Sequence, residues 1–316
     1  VKNITTTIID AIKSSTDVLV CGHIRPDGDC VGSALAMRRI CRNLGKFADA
    51  VCDVDDFASF LFLPDRELFC KPRKEYYDLF IAVDCATESR LGKYKNNLVE
   101  AKNSIYIDHH PGNTGYAEIN CLEPAASSTC AIIYELFEGT GLIDKETATM
   151  LYTGLSTDTG HFMHANTDAR VFEIAAELCR LGVDVAEVNH GIYCDVSKNK
   201  LKLTARTLEG MRFYEGGKIA LITITQNDLA ECGCTTEDTE GLIDNATSVH
   251  GVQISIAVCE QQGNMCRVSL RSVQADVSKV ANKFGGGGHK LASGCIISGA
   301  CETVVEKIAA AAASAL

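Results

Sequence analysis

Short apolar runs and amphipathic stretches alternate through the first half of the chain. The run "DVLVCG" (17–22) ends in glycine, and "VGSALAMRRICRNLG" (31–45) then carries apolar residues at helical spacing up to Gly45. "FADAVC" (47–52) predicts the next strand. "DLFIAVD" (78–84) is continuously apolar before its final acid and too short for a helix, as a strand covered on both faces would be. "SIYID" (104–108) repeats that pattern. This βαβ rhythm predicts an α/β fold, an open parallel sheet with helices on both faces. Three helices follow. The first, within 127–141, has Ser127 or Ser128 as its cap and Gly139 or Gly141 as its stop. The second, 144–158, starts on an Asp cap, and the third runs from Thr167 to a stop at Gly182.

Beyond these the texture changes. "SKNKLKLTARTLEG" (197–210) is a polar amphipathic helix and reads as a connector. "MRFYEGGKIALITI" (211–224) is two extended runs around a Glu-Gly-Gly turn, and "VQISIAVCEQQGNMCRVSLRS" (252–272) is two alternating strands around Gln-Gly-Asn. The alanine-rich "IAAAAASAL" closes the chain as a helix. The organisation expected is a parallel-sheet domain over 1–190, a helical linker over 191–213 and a smaller, antiparallel α+β domain over 214–316. Two domains also suit a length of 316 residues.

Charge narrows the partners. The formal net charge is −11, yet residues 251–316 hold six Lys/Arg against four acids, leaving −13 on residues 1–250. Such a body repels the phosphates of a long duplex, while the mildly basic end suits a small anionic ligand. The sixteen cysteines are scattered, form no CxxC pair, and often sit in apolar runs, as Cys21, Cys85 and Cys179 do. They read as buried free thiols of a reducing, cytoplasmic setting. "VKNITTTIIDAIK" lacks the continuous apolar core of a signal peptide, and no apolar stretch reaches the ~20 residues of a membrane span. No membrane partner is expected.

The acids stand at telling positions. His23, Asp27 and Asp29 crowd "GHIRPDGDCVGS" (22–33), just past the first strand. Asp84 ends the third strand; Asp108 ends the fourth and is followed by His109 and His110; Asp158 ends a helix in "STDTGHF". Parallel strands deliver their C-terminal ends to one edge, so these groups are expected to converge. Taken singly, a strand-end Asp is a turn former, and Asp29 would serve as the cap of a helix beginning near Val31. Taken together, the carboxylates would raise one another's pKa. Divalent cations remove that conflict. Four aspartates and two histidines suit two ions sharing one carboxylate, and mixed N and O donors favour Mn²⁺, with Fe, Co or Zn as alternatives, over Mg²⁺ alone. Asp108 is either a ligand or the group that orients a histidine ligand. His161 and His164 read as ordinary loop residues, His190 and His250 as structural. In "FGGGGHKLASG" (284–294), Gly285, Gly286, Gly287 and Gly288 let the backbone approach a ligand closely. With His289 and Lys290 beside them they form an anion or nucleotide cradle.

In order along the chain, His23 to Ser33, Asp84, the Asp-His-His of 108–110, Asp158 in "TDTG", and "RVSLRS" (267–272) with the glycine run together resemble the DHH phosphoesterase family and its DHH-associated C-terminal domain. The resemblance covers essentially the whole chain. Length and the lack of a third domain look like the branch of oligoribonucleases and pAp phosphatases. The resemblance implies one Mn²⁺ held by His23, Asp27 and Asp84, and a second held by Asp29, Asp84, His109 and Asp158, with Mg²⁺ or Co²⁺ as substitutes. His110 and Asp108 are then the catalytic candidates, His110 facing the scissile phosphate. Arg271 and His289 would hold the substrate's terminal phosphate or base. Two departures are visible: Met163 stands where the family often has a basic residue, and Arg25 where Asn is common.

The function expected is a manganese-dependent phosphoesterase with its site between the two domains. A water activated by the metals attacks phosphorus in line, and His110 stabilises phosphoryl charge or protonates the leaving oxygen. Expected substrates are short single-stranded RNA fragments, linear dinucleotides such as pApA, and pAp; a homodimer is left open. An inorganic pyrophosphatase-like hydrolase and a non-catalytic nucleotide-binding regulator are the alternatives.

Overall fold

The computed structural model describes residues 2–54, 60–194 and 196–316. The chain divides into two compact units, residues 1–195 and 196–316. In the first, α1 (Lys2–Ser14) precedes β1 (Asp17–Cys21), α2 (Gly28–Asn43), β2 (Phe47–Val51), β3 (Leu79–Val83), α3 (Lys95–Glu100), β4 (Asn103–Asp108) and β5 (Ile119–Leu122). Helices α4 (Thr129–Phe137), α5 (Lys145–Asp158), α6 (Ala169–Arg180) and α7 (Val185–Asn189) follow. Among the described residues the strands form one sheet, parallel throughout, in the order β2-β1-β3-β4-β5.

That order places a switch point between β1 and β3. The chain steps outward from β1 to β2, then returns to the other side of β1, so the loops after β1 and β3 diverge and leave a crevice at their C-terminal ends. The sheet is covered on both faces, as its continuous apolar strands predict. Val18, Val20, Leu79, Ile81, Val83, Ile105 and Ile107 pack with residues of α2, α4 and α5. The alternate residues Leu19, Cys21, Phe80, Ala82 and Tyr106 pack with Leu91, Tyr94 and Leu98 on the other side.

Helix starts follow the side-chain caps, with two shifts. Ser128 caps α4 and Asp144 caps α5, as expected. Asp168, one residue after Thr167, caps α6 by accepting from Val171 N. The cap of α2 is Asp27, not Asp29: Asp27 accepts from Cys30 N, and the helix begins at Gly28. Asp29 therefore lies inside the first turn, where its carboxylate is free to serve another element. The strand β5 and the helix α1 add to the expected elements; β5 is only four residues and half exposed, so it leaves no apolar run.

Helices α2 and α5 cross at backbone distance. A Cβ on Gly32 would lie 2.5 Å from the Met150 carbonyl oxygen, and one on Gly154 would lie 2.3 Å from Cys130 Sγ and 2.6 Å from Asp29 Oδ1. Only glycine lets α5 run this close, and it carries Asp158, one turn past Gly154, toward Asp29.

The second unit opens with α8 (Lys198–Glu209), followed by β6 (Arg212–Tyr214), β7 (Ile219–Ile224), α9 (Gln226–Cys232), α10 (Leu242–Thr247), β8 (Ile254–Gln261), β9 (Met265–Ser272), α11 (Val277–Asn282), β10 (Gly287–Gly288), β11 (Ala292–Ser298) and α12 (Cys301–Ala313). Its described strands form one sheet in the order β10-β11-β9-β8-β7-β6. The antiparallel reading holds except between β7 and β8, which are parallel, so the sheet is mixed. The segment holding α9 and α10 lies between those two strands and returns the chain to the end where β7 began, which a parallel pair requires. The helix read as a connector, α8, contributes Leu203 to this unit's core beside Ile222, Ile224 and Leu229.

Replacing Gly32 by Ala should destabilise the fold by about 1–3 kcal/mol, because the new methyl meets backbone rather than a movable side chain. Urea unfolding of the two proteins measures it; equal stability would mean the helices separate freely.

Candidate metal centre

Loops after β1, β3 and β4 and the end of α5 bring six predicted ligands together. His23 is 3% exposed, Asp29 1% and Asp84 2%, so three polar groups sit in the interior without a lysine or arginine carboxylate partner among the described ion pairs. His23 Nε2 lies 3.8 Å from Asp27 Oδ2 and 3.5 Å from Asp84 Oδ2. His109 Nε2 lies 3.3 Å from Asp158 Oδ2, 3.7 Å from Asp84 Oδ1 and 4.0 Å from Asp29 Oδ2. Asp84 thus turns one oxygen to each imidazole. It does so from a left-handed backbone (φ +51°) just past β3, a conformation that Asp tolerates better than most residues and that costs about 1–2 kcal/mol.

Hydrogen bonds set the histidine tautomers. The Ile24 carbonyl is 2.7 Å from His23 Nδ1, and the Ala126 carbonyl 3.3 Å from His109 Nδ1. A carbonyl accepts only from an N–H, so both rings carry their proton on Nδ1 and turn a bare Nε2 toward the carboxylates. Arg90 Nη2 also approaches His23 Nδ1, at 3.0 Å. The carbonyl contact is the shorter of the two, and the guanidinium, which only donates, competes with it for the same nitrogen.

Each acid is fixed by the chain around it. Asp29 accepts from Thr129 N at 2.7 Å and Cys130 N at 2.9 Å, so it binds the open N-terminus of α4. Thr129 Oγ1 donates to Asp84 Oδ1 at 3.2 Å. Asp27 splits its oxygens, Oδ1 capping α2 and Oδ2 facing His23. Asp108 stands apart from the ligand groups. It accepts from His110 Nδ1 at 2.8 Å, from Tyr106 Oη at 2.5 Å and from Asn113 Nδ2 at 2.6 Å. Its place is that of an orienting residue, one of the two roles the sequence left open.

Electrostatics mark the cluster as uncompensated. Burial, then the charges of Asp29, Asp27 and Asp158, push the Asp84 carboxyl well above its ordinary range. Burial and the charges of Asp29 and Asp27 do the same to Asp158. Burial also raises Asp29, although His109 and the Cys130 N–H oppose it. Asp108 goes the other way: burial alone would raise it, but the bonds from His110 and Tyr106 hold it below the usual carboxylate value.

The donor set fits divalent cations. Imidazole Nε2 atoms and carboxylate oxygens face one another 3.3–4.0 Å apart, and a bare Nε2 and a carboxylate are both acceptors. A cation about 2.1 Å from each donor would span such gaps and cancel the repulsion. Three donor groups have atoms within 4.8 Å of one another: His23, Cys30 and Asp84; Asp84, His109 and His110; and Asp29, His109 and Asp158. Cys30 was not expected. Burial and the charges of Asp84 and Asp27 raise its thiol pKa in the metal-free protein, and its Sγ accepts from His23 N at 3.2 Å, packing it behind the histidine.

Other contributors were not singled out from sequence. Tyr106 had a usable signal, since it lies two residues before Asp108 on β4 and so shares its face. Arg90 and Asn113 reach the site from loops and left none. Met163 is 79% exposed, and Arg25 is exposed as well. His161 packs edge-on against Tyr193, with ring centroids 4.7 Å apart, in keeping with a loop residue.

The substrate-binding candidates lie in the second unit. Arg271 on β9 pairs with Ala292 of β11 and Ser255 of β8 and is half-buried, its Nη1 donating to the Leu270 carbonyl at 3.1 Å. Around His289 the chain turns tightly, with His289 N donating to the Ala292 carbonyl at 2.8 Å. The register therefore puts Ala292 of β11 between His289 and Arg271. The glycine run departs from a free cradle. Gly285 N and Gly286 N donate to the carbonyls of Asn282 and Ala281 at the end of α11, and Gly287 and Gly288 form the short strand β10. A Cβ on Gly286 would lie 2.2 Å from the Gly294 carbonyl oxygen, so the hairpin itself needs glycine there.

Residues 17–155 match the profile of the DHH family, N-terminal domain, and residues 217–316 that of the DHHA1 domain. The chain is 30% identical over 302 residues to a "bifunctional oligoribonuclease and PAP phosphatase NrnA" of Thermus thermophilus, covering 92% of this chain and 89% of that one. It is 27% identical over 300 residues to the protein of the same description from Bacillus subtilis, covering 92% and 93%. A crystal structure of an exopolyphosphatase-related protein from Bacteroides fragilis superposes with a TM-score of 0.92 at 24% identity, over 98% of this chain and 96% of that one, and so shares the fold.

Two predictions follow from this geometry. Asp29→Ala orphans two buried N–H groups of α4 and should cost about 2–4 kcal/mol in metal-free protein, while Asp158→Ala should cost much less. Urea unfolding ranks them, and equal losses would show that Asp29 does not hold α4. The second concerns pH. A buried acid with a raised pKa stabilises the metal-free fold while protonated and loses that contribution as pH rises through its folded value. Mn²⁺ competes with those protons, so a fixed excess of Mn²⁺ should raise Tm more at pH 8 than at pH 6. A larger shift at pH 6 would contradict the sign.

Proposed function

The chain belongs to the DHH family, as a metal-dependent phosphoesterase, and from that premise we propose that it hydrolyses short oligoribonucleotides, linear dinucleotides such as pApA, and pAp to mononucleotides, with two Mn²⁺ ions. The observation that supports the two-ion reading is Asp84, whose two oxygens face His23 and His109 separately. His23, Asp27 and Asp84 would hold one ion; Asp29, Asp84, His109 and Asp158 the other. Bound there, the cations would supply Lewis-acid charge to a phosphoryl oxygen and lower the pKa of a water.

The remaining work falls to side chains. Asp108 keeps the His110 proton on Nδ1 and leaves Nε2 as the atom that meets the phosphoryl group or leaving oxygen. Tyr106 and Asn113 saturate the second oxygen of Asp108, so the carboxylate cannot swing away from His110. Arg271 and His289 would grip a terminal phosphate or base, limiting the enzyme to short chains. The strong acidity of residues 1–250 supports the same limit.

Asp84→Asn keeps a residue that tolerates left-handed backbone while removing the shared charge. It should abolish hydrolysis and reduce bound manganese in the folded protein; near-normal turnover would refute the shared-ligand role. Arg271→Ala should raise KM for pAp and dinucleotides about 10–100-fold with kcat little changed, the size of a lost hydrogen bond to a charged group. A fall in kcat alone would remove Arg271 from substrate gripping. Assaying pAp, dinucleotides, pentamers and pyrophosphate side by side with Mn²⁺ decides the substrate class, and a preference for pyrophosphate would overturn the nucleotide reading.

A further inference from the structure

Cys52 and Cys70 meet at the edge of the first unit's sheet, with their sulfurs 3.2 Å apart. Cys52 is the residue after β2 and is fully buried. Cys70 is half-buried and runs alongside β2, its N–H bonded to the Ala50 carbonyl at 3.0 Å. Its backbone is left-handed (φ +61°), an uncommon conformation for a residue other than glycine, and that conformation is held where it sets the two thiols together. Two further contacts lock the pair: Cys52 N reaches Cys70 Sγ at 3.4 Å, and Cys70 Sγ lies 3.5 Å from the Cys52 carbonyl oxygen.

We propose that Cys52 and Cys70 are an oxidisable dithiol that a hydroperoxide converts to a reversible intrachain disulfide. The pair lies outside the metal centre, so the inference stands whatever the chain hydrolyses. The sulfurs need to close by only about 1 Å to reach bonding distance. The charge pattern favours Cys70 as the attacking sulfur. Its contact with the Cys52 thiol, the Cys52 N–H, and the positive charges of Arg66 and Lys93 pull its pKa down to about 7 despite burial. The bond with Cys70 and burial push Cys52 up, so Cys52 keeps the shared proton. Asp53, the nearest acid along the chain, is engaged by Lys93 through both N and Nζ.

The chemistry balances without another redox partner. Cys70 thiolate attacks the peroxide, breaking its O–O bond, and becomes a sulfenic acid as hydroxide or alkoxide leaves and takes a proton from solvent, giving water or alcohol. Cys52 then attacks the Cys70 sulfur, the S–S bond forms, and the expelled hydroxide takes the Cys52 proton as water. Two thiols are oxidised and one peroxide is reduced. A thiol reductant reverses the change.

The test treats the purified, manganese-loaded chain with one equivalent of hydrogen peroxide, quenches with an alkylating agent and maps the peptides without reduction. The 52–70 cross-linked peptide should appear first, ahead of change at the exposed Cys179 and Cys194, with a mass 2 Da lower and full reversal by a thiol reductant. A first bridge elsewhere, such as between Cys266 and Cys301, or alkylation of Cys52 and Cys70 at the level of the untreated protein, would overturn the proposal. In Cys52→Ser the same treatment should leave a Cys70 sulfenic acid that a 1,3-diketone traps. Failure to trap it in folded protein would also count against Cys70 as the attacking sulfur.

Discussion

Two helices packed backbone against backbone hold the acidic centre together. Gly32 on α2 admits the Met150 carbonyl, and Gly154 on α5 admits Asp29 itself. With side chains at those positions the helices would stand apart by the thickness of a methyl or more, and Asp158 would retreat from His109 and Asp29. The strands can deliver His23, Asp84 and His109 to one edge by topology alone. Asp158 comes from a helix, and only close packing brings it there.

That packing confines like charges. Asp29 and Asp84 are buried and Asp158 half-buried, with no arginine or lysine ion pair among the described residues; Asp29 raises the proton affinity of Asp84 and Asp158, and Asp158 that of Asp84. The fold tolerates this because each has some local support: α4's N–H groups for Asp29, Thr129 for Asp84, His109 for Asp158. The support is partial, and the deficit is what a cation fills. The same logic explains the contrast with Asp108, which is as deeply buried yet has its needs met by His110, Tyr106 and Asn113. An acid whose bonds are complete has nothing left to offer an ion; an acid whose bonds are incomplete keeps lone pairs for one.

Much of this was legible in the residues. Apolar runs ending in acids gave the parallel sheet and the shared edge, because strand direction alone decides where Asp84 and Asp108 emerge. The cap of α2 was misplaced by two residues, since Asp27 and Asp29 are chemically alike and only the chain's path tells which faces Cys30 N. Cys30, Arg90 and Asn113 reach the centre through loop conformations that no periodicity encodes. The β7 and β8 pairing was missed for a related reason: α9 and α10 are short, and a crossover between parallel strands is hard to tell from a long loop between antiparallel ones. Gly285, Gly287 and Gly288 are exposed, as a backbone cradle for a ligand needs, and Gly286 answers a second demand invisible in the sequence, the Gly294 carbonyl behind it.

Asp29 carries an obligation that Asp158 does not. Its two oxygens close the N-terminus of α4 whether or not catalysis takes place. A duplicated copy of this chain, released from selection for hydrolysis, could drift at Asp158 with little penalty to folding. It would keep Asp29 far longer, because its removal leaves two amides stranded in the interior. An aspartate surviving alone at this position in a degenerate relative would therefore testify to architecture, not to retained enzymatic activity.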